Sequence, residues 1–105
     1  MNFLLITDTC DLYRLVRIGD KESYGGTPIL TGLKCQIMPA SSDILAVFPG
    51  EPSYQLYEIF MYSMDTIKNG DKLKSGSTEY IVRGVARTVN TSLLKYQQIV
   101  GEKVV

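Results

Sequence analysis

Acid–base chemistry in a small protein needs paired titratable groups whose surroundings drive their pKa values apart. The chain offers two such spacings, Asp65 with Asp71 and Asp8 with Asp11. Both pairs flank an expected turn or strand edge, where solvated acids are ordinary occupants. Histidine is absent, which removes the commonest general base and the commonest metal ligand. Ser41, Ser42, Ser53, Ser75, Ser77 and Ser92 therefore have no imidazole to activate them. The glycines at 25–26, 70, 76 and 84 match neither the phosphate-loop nor the dinucleotide spacing. Cys10 and Cys35 lie 25 positions apart and outside any CxxC pair, which argues against a structural zinc. They read as small, half-buried strand thiols. A disulfide is the alternative, and needs adjacent strands and an oxidising compartment. No catalytic, cofactor or metal site is assigned, and the chain is expected not to be an enzyme.

Tyrosine is the other chemistry-bearing residue. Tyr13, Tyr24, Tyr54, Tyr57, Tyr62, Tyr80 and Tyr96 are spread along the chain, with Lys72, Lys74, Arg83, Arg87 and Lys95 among the C-terminal ones. Aromatics interleaved with cations on one barrel face can stack unpaired bases. That makes an OB-like module for single-stranded nucleic acid the alternative function, and it requires Arg83, Arg87 and Lys95 to share a face with Tyr80 and Tyr96. The favoured reading is structural: rings filling half-buried strand positions with hydroxyls reaching water.

The elements that must position these residues are short. The 105 residues make one domain, expected to span 1–105, and 45% are apolar, enough for a core without staples. Eleven basic residues balance eleven acidic ones, so the excess that drives phosphate binding is missing overall. The apolar run Met1 to Ile6 has no basic flank and is too short for a signal core or a membrane span. With Thr7, Asp8 and Thr9 it reads as an N-terminal arm, 1–9.

Strands are expected at Asp11–Arg17, Thr27–Met38, Tyr54–Tyr62, Lys72–Lys74, Glu79–Arg87 and Leu93–Val100. In the second, Leu33, Cys35 and Ile37 alternate with Lys34, Gln36 and Met38, and Gly32 marks a bulge or bend. Asn69-Gly70 and Ser75-Gly76 supply the positive-φ residues that reversals need. No extended helical periodicity follows residue 10. Loops are expected at 18–26 and 40–53. The second carries Pro39, Pro49 and Pro52 at its ends, with Ser42 or Asp43 able to start a short helix. Its Ile44, Leu45, Val47 and Phe48 are apolar, and long loops of this kind are functional or fold back over a barrel mouth. The fold class is therefore all-β: a small antiparallel β-barrel of six to seven strands with long loops and a short N-terminal apolar segment.

Four pieces of the chain, taken in order, resemble the stopper or head-completion family of head–tail connector proteins of long-tailed bacteriophages. Cys10-Asp-Leu-Tyr-Arg14 is similar to that family's opening strand, and Tyr24-Gly25-Gly26 to its first glycine-rich loop. Gly32-Leu-Lys-Cys-Gln-Ile-Met-Pro39 is similar to its second strand and proline exit. Ile67-Lys-Asn-Gly-Asp71, followed by Glu79-Tyr-Ile-Val-Arg-Gly-Val85, is similar to its late hairpin. The added run Met1 to Ile6 departs from the pattern. The resemblance implies a virion neck protein made in the host cytoplasm, a monomer in isolation that forms a homo-oligomeric ring in the particle. Its implied partners are the portal or adaptor and the tail terminator. Double-stranded DNA would pass through without sequence-specific binding, and no membrane is involved. The resemblance places contacts to the channel or to neighbours at Ser41, Ser42, Asp43, Ile44, Leu45, Val47 and Phe48, with a second loop at Tyr24, Gly25 and Gly26.

Overall fold

The computed structural model describes residues 8–47 and 55–104, without the side chains of Ile18 and Val47. Met1 to Thr7, and Phe48 of the long loop, lie outside the described residues. Within them the chain forms β1 (Asp8–Tyr13), β2 (Val16–Ile18), β3 (Lys21–Ser23), β4 (Leu30–Pro39), α1 (Ser42–Val47), β5 (Leu56–Met61), β6 (Lys72–Ser75), β7 (Thr78–Asn90) and β8 (Lys95–Lys103). Six strands close into an antiparallel barrel in the order β1-β4-β5-β8-β7-β6, while β2 and β3 form a separate hairpin. The all-β barrel expected from the sequence is the fold observed.

Several boundaries differ for physical reasons. The first strand starts at Asp8 and stops at Tyr13, not Arg17, because the Arg14 side chain turns to Asp71 and the chain re-forms as β2. Asp8 and Thr9, assigned to the arm, are thus paired with Cys35 and Lys34. The expected loop 18–26 holds a turn at Gly19 (φ 63°) that reverses β2 into β3. The last strand begins at Lys95, since Leu93 sits in the preceding turn. The helix that Ser42 or Asp43 could start exists but spans only 6 residues.

Turn and bulge chemistry follows the glycines. Thr31 and Gly32 stand opposite Asp11 alone, and Gly32 (φ 65°) donates its N–H to Asp11 Oδ1 at 3.0 Å. This is the bulge expected there. Gly76 (φ 61°) opens the two-residue connection between β6 and β7, where Ser75 pairs with Thr78.

The barrel interior is solid. Leu12, Ile59, Met61, Leu73 and Ile99 are at most 1% exposed and pack with Cys10, Cys35, Tyr80 and Val82. Side chains fill a barrel of this strand number, so it encloses a core and no channel. One mouth is closed by the segment between β5 and β6. Ile67 enters the core, and the buried Gln97 amide donates to the carbonyls of Ser63 and Asp65, each at 2.7 Å. β5 is buried on both faces. Ile59 and Met61 point inward, while Leu56 is covered by Ile44 of α1 and Phe60 lies beside Tyr96. Its density of aromatic and branched residues reflects this central position. Gly101 on β8 admits no side chain cheaply, since a Cβ there would lie 3.0 Å from Ile59 Cδ1 and 3.2 Å from Tyr80 Cβ.

Candidate interaction surfaces

The two loops singled out by sequence lie at opposite ends of the barrel. α1 follows Pro39, which pairs with Tyr57 at one end, and the Tyr24 loop follows Tyr13, which pairs with Lys72 at the other. α1 does not cover a barrel mouth. It lies on the outer wall of β5 and β8, where Ile44 packs on Leu56 and Val100 with Leu45 beside it. Two backbone contacts fix its approach: Ala40 N–H to Leu56 O at 3.1 Å, and Ser41 N–H to the buried Glu58 carboxylate at 2.7 Å. The other Glu58 oxygen accepts from Gln98, so the carboxylate is satisfied by donors on two elements. Ser41, Ser42, Asp43 and Ala46 remain exposed.

At the opposite end, Asp71 is 2% exposed and organises the local structure. Its carboxylate accepts from Arg14 Nε at 3.1 Å, from Arg14 Nη2 at 2.9 Å and from the Lys68 N–H at 2.8 Å. Arg14 Nη2 also donates to the Thr66 carbonyl at 2.8 Å. Hydrogen bonding to Asp71 raises the Arg14 pKa against the opposing effect of burial. Tyr24 donates its hydroxyl to the Gly70 carbonyl at 2.6 Å, and Lys72 Nζ sits 4.9 Å from both the Tyr24 and Tyr13 ring centroids. Burial raises the Tyr24 pKa, which keeps this donor protonated. Gly25 (φ 70°) and exposed Gly26 then carry the chain back toward β4.

The carboxylates considered for acid–base work are occupied by structure. Asp71 is saturated as described, Asp11 accepts from Gly32, and Asp65 is bonded to the Ser63 hydroxyl. Cys10 and Cys35 are buried on neighbouring strands and unbridged. They are more deeply buried than the half-exposed thiols expected. Hydrogen bonding with Cys35, reinforced by burial, raises the Cys10 pKa and holds it as a thiol. Among the described residues no group of three or more His, Cys, Asp or Glu side chains could hold a metal ion, and no helix is long and apolar enough to cross a membrane.

The tyrosines do not form one stacking face. Tyr80 lies in the core against Tyr57, whereas Tyr96 is buried on the outer wall with Phe60 and Tyr62. Arg83, Arg87 and Lys95 instead belong to a β7–β8 arm that sequence reading did not single out. β6 covers β7 only up to Ile81, and Gly70 and Asp71 bond to Val82. Beyond that point β7 is paired with β8 alone, to Asn90 opposite Lys95. The only signals in the sequence were a seemingly long last strand beginning at Leu93-Leu94 and a stretch without acids.

Fold and surfaces together define a small closed β-barrel domain that presents an outer-wall helix, an anchored glycine loop and a projecting hairpin. Such a barrel resembles the solved structure of the phage-like element PBSX protein xkdH from Bacillus subtilis. The TM-score is 0.54 at 14% identity, over 90% of this chain and 92% of that one. At this identity the two share a fold. No family model and no curated protein matches the chain.

Proposed function

We propose that the chain is a non-enzymatic structural subunit of a phage or prophage neck. Copies form a ring at the head–tail interface that closes the DNA channel after packaging and offers a docking surface to the tail. The observation that carries this reading is the barrel likeness to a protein of a phage-like element, which spans nearly all of both chains. The ordered resemblance to the stopper family, over about residues 10–100, points the same way. The packed interior adds a constraint: DNA cannot thread one barrel, so any channel is built between copies.

In this reading the rigid barrel sets the subunit shape, and exposed Ser42, Asp43 and Ala46 on α1 meet the channel or a neighbour. Tyr24 to Gly26 forms a second contact at the opposite end. Portal or adaptor and tail terminator are the partners above and below. A monomer in isolation assembles when its docking platform exists.

The test uses DNA-filled, tailless capsids lacking the chain. Purified chain is added, and co-sedimentation and nuclease protection of the packaged genome are measured. Protection with co-sedimentation is the expected result. Co-sedimentation without protection moves the chain to a tail-docking role, and the absence of both rejects the neck reading.

A further inference from the structure

We propose that neighbouring copies of the chain dock head to tail, with the tip of the β7–β8 arm of one copy seated on an apolar patch of the next. The patch comprises Leu15, Val16 and Ile29. This rests on the ring reading above and names the surfaces that would close it.

The arm ends in a turn built to hold one leucine in the open. Thr91 N–H donates to the Leu94 carbonyl at 2.8 Å, Thr91 Oγ1 donates to the same carbonyl at 3.0 Å, and Leu94 N–H returns to Thr91 Oγ1 at 2.9 Å. Leu93 between them is 95% exposed. Fixing an apolar side chain in water gives nothing back within the chain. It is what an anchor residue needs, since ordering before contact lowers the cost of binding.

The receiving patch lies across the molecule. Leu15, Val16 and Ile29 are 41%, 47% and 49% exposed, large apolar side chains left open to water. Ile29 donates its N–H to Leu12 at 2.8 Å, which sets it beside the end of β1 from which Leu15 and Val16 depart. In the closed order, β1 stands opposite β8 and β4 opposite β7. The register puts the end of β1 and the tip of the arm at the same end of the barrel. Arm and patch therefore sit at one end on opposite walls. Two unlike surfaces on opposite walls meet heterologously, the arrangement that closes into a ring when the rotation between copies allows it.

Charge selects the same occupant. Arg83 at the base of the arm is paired with Glu102 at 3.6 Å, which leaves Arg87 and Lys95 toward the tip in a run without acids, and the other nine basic residues face all eleven acidic ones. Arms repel one another, and each is drawn to the net-negative remainder of another copy.

The experiment places Leu93→Cys and Ile29→Cys in one chain, with the native cysteines buried, and adds a short bis-maleimide to chain bound to the tailless capsids. A ladder of covalent multimers beyond the dimer is expected, absent from either single variant and lost when Leu93→Asp replaces Leu93→Cys. Capsid-bound chain that gives no ladder, or joins through Leu93→Cys to a capsid protein, overturns the docking and leaves the neck reading standing. If the chain does not bind capsids, the neck reading fails and the same reaction in concentrated solution decides the docking. Multimers of the double variant then uphold it. No product, or dimers of Leu93→Cys alone, overturn it.

Discussion

Arg14 and Asp71 are 57 positions apart, yet their bidentate pair decides where the first strand ends and how the glycine loop is held. The two partners are not equally buried: the Arg14 side chain is 29% exposed and that of Asp71 3%. Removing Arg14 strands the drier charge with only the Lys68 amide as donor, whereas removing Asp71 leaves a guanidinium that water can reach. Arg14→Ala is therefore expected to cost about 3 kcal/mol and Asp71→Ala about 2 kcal/mol. Urea unfolding of both variants checks the order, and a larger loss for Asp71→Ala would contradict it. Cys10 and Cys35 make a second prediction at this scale. Both are at most 2% exposed, and Cys10 is held as a thiol by its neighbour and by burial. A thiol reagent at neutral pH is expected to leave both unmodified in the native protein and to label both in denaturant. Rapid labelling of native protein would mean that the barrel opens locally between β1 and β4.

Among the elements, α1 combines a barrel-facing anchor with an exposed outer face. Ile44 supplies the side-chain anchor, while Ser41 and Ala40 supply backbone ones. Ile44→Asp should detach the helix, because a carboxylate cannot be buried against Leu56 and Val100, and leave the barrel closed. Hydrogen exchange would then rise across residues 41–47, with β5 and β8 still protected. Exchange rising equally in β5 and β8 would make α1 part of the cooperative core. Elements like this mark the limit of what the sequence discloses. Gly32, Gly70 and Gly76 reveal their turns and bulges because positive φ is written in residue type. β4 and β5 are legible because their alternation and aromatic content match their burial. The arm is hidden because Leu93-Leu94 reads as buried strand, and nothing local says that β6 stops short of covering β7. The Arg14–Asp71 pair is hidden for a related reason: it depends on barrel closure, a contact between β1 and β6 that no window of sequence contains. The apolar residues Ile44 and Leu45 stand out in the sequence, but their attachment to the outer wall depends on Glu58 and Val100, far along the chain.

At the scale of the whole molecule, a chain with no net charge carries its cations unevenly, and this sets what it should do with nucleic acid. Phosphate neutralisation supplies most non-specific affinity. The proposed ring, through which DNA would slide, calls for little of it. The arm is the longest stretch where cations run without acids, with Arg83, Arg87 and Lys95 on two paired strands. Arg83 lies 3.6 Å from Glu102, which offsets part of that charge. The rings that would complete a base-stacking surface are turned away, Tyr80 into the core and Tyr96 into the Phe60–Tyr62 cluster. Labelled single strands and duplexes are therefore both expected to bind no tighter than about 10⁻⁴ M at physiological salt, the weak end of non-specific binding. Fluorescence anisotropy at two salt concentrations measures this. Micromolar, salt-sensitive binding of single strands that disappears in Arg87→Ala and Lys95→Ala would give the arm to nucleic acid. It would then serve an OB-like role without the expected tyrosines, and the subunit contact would have to be built from other surfaces.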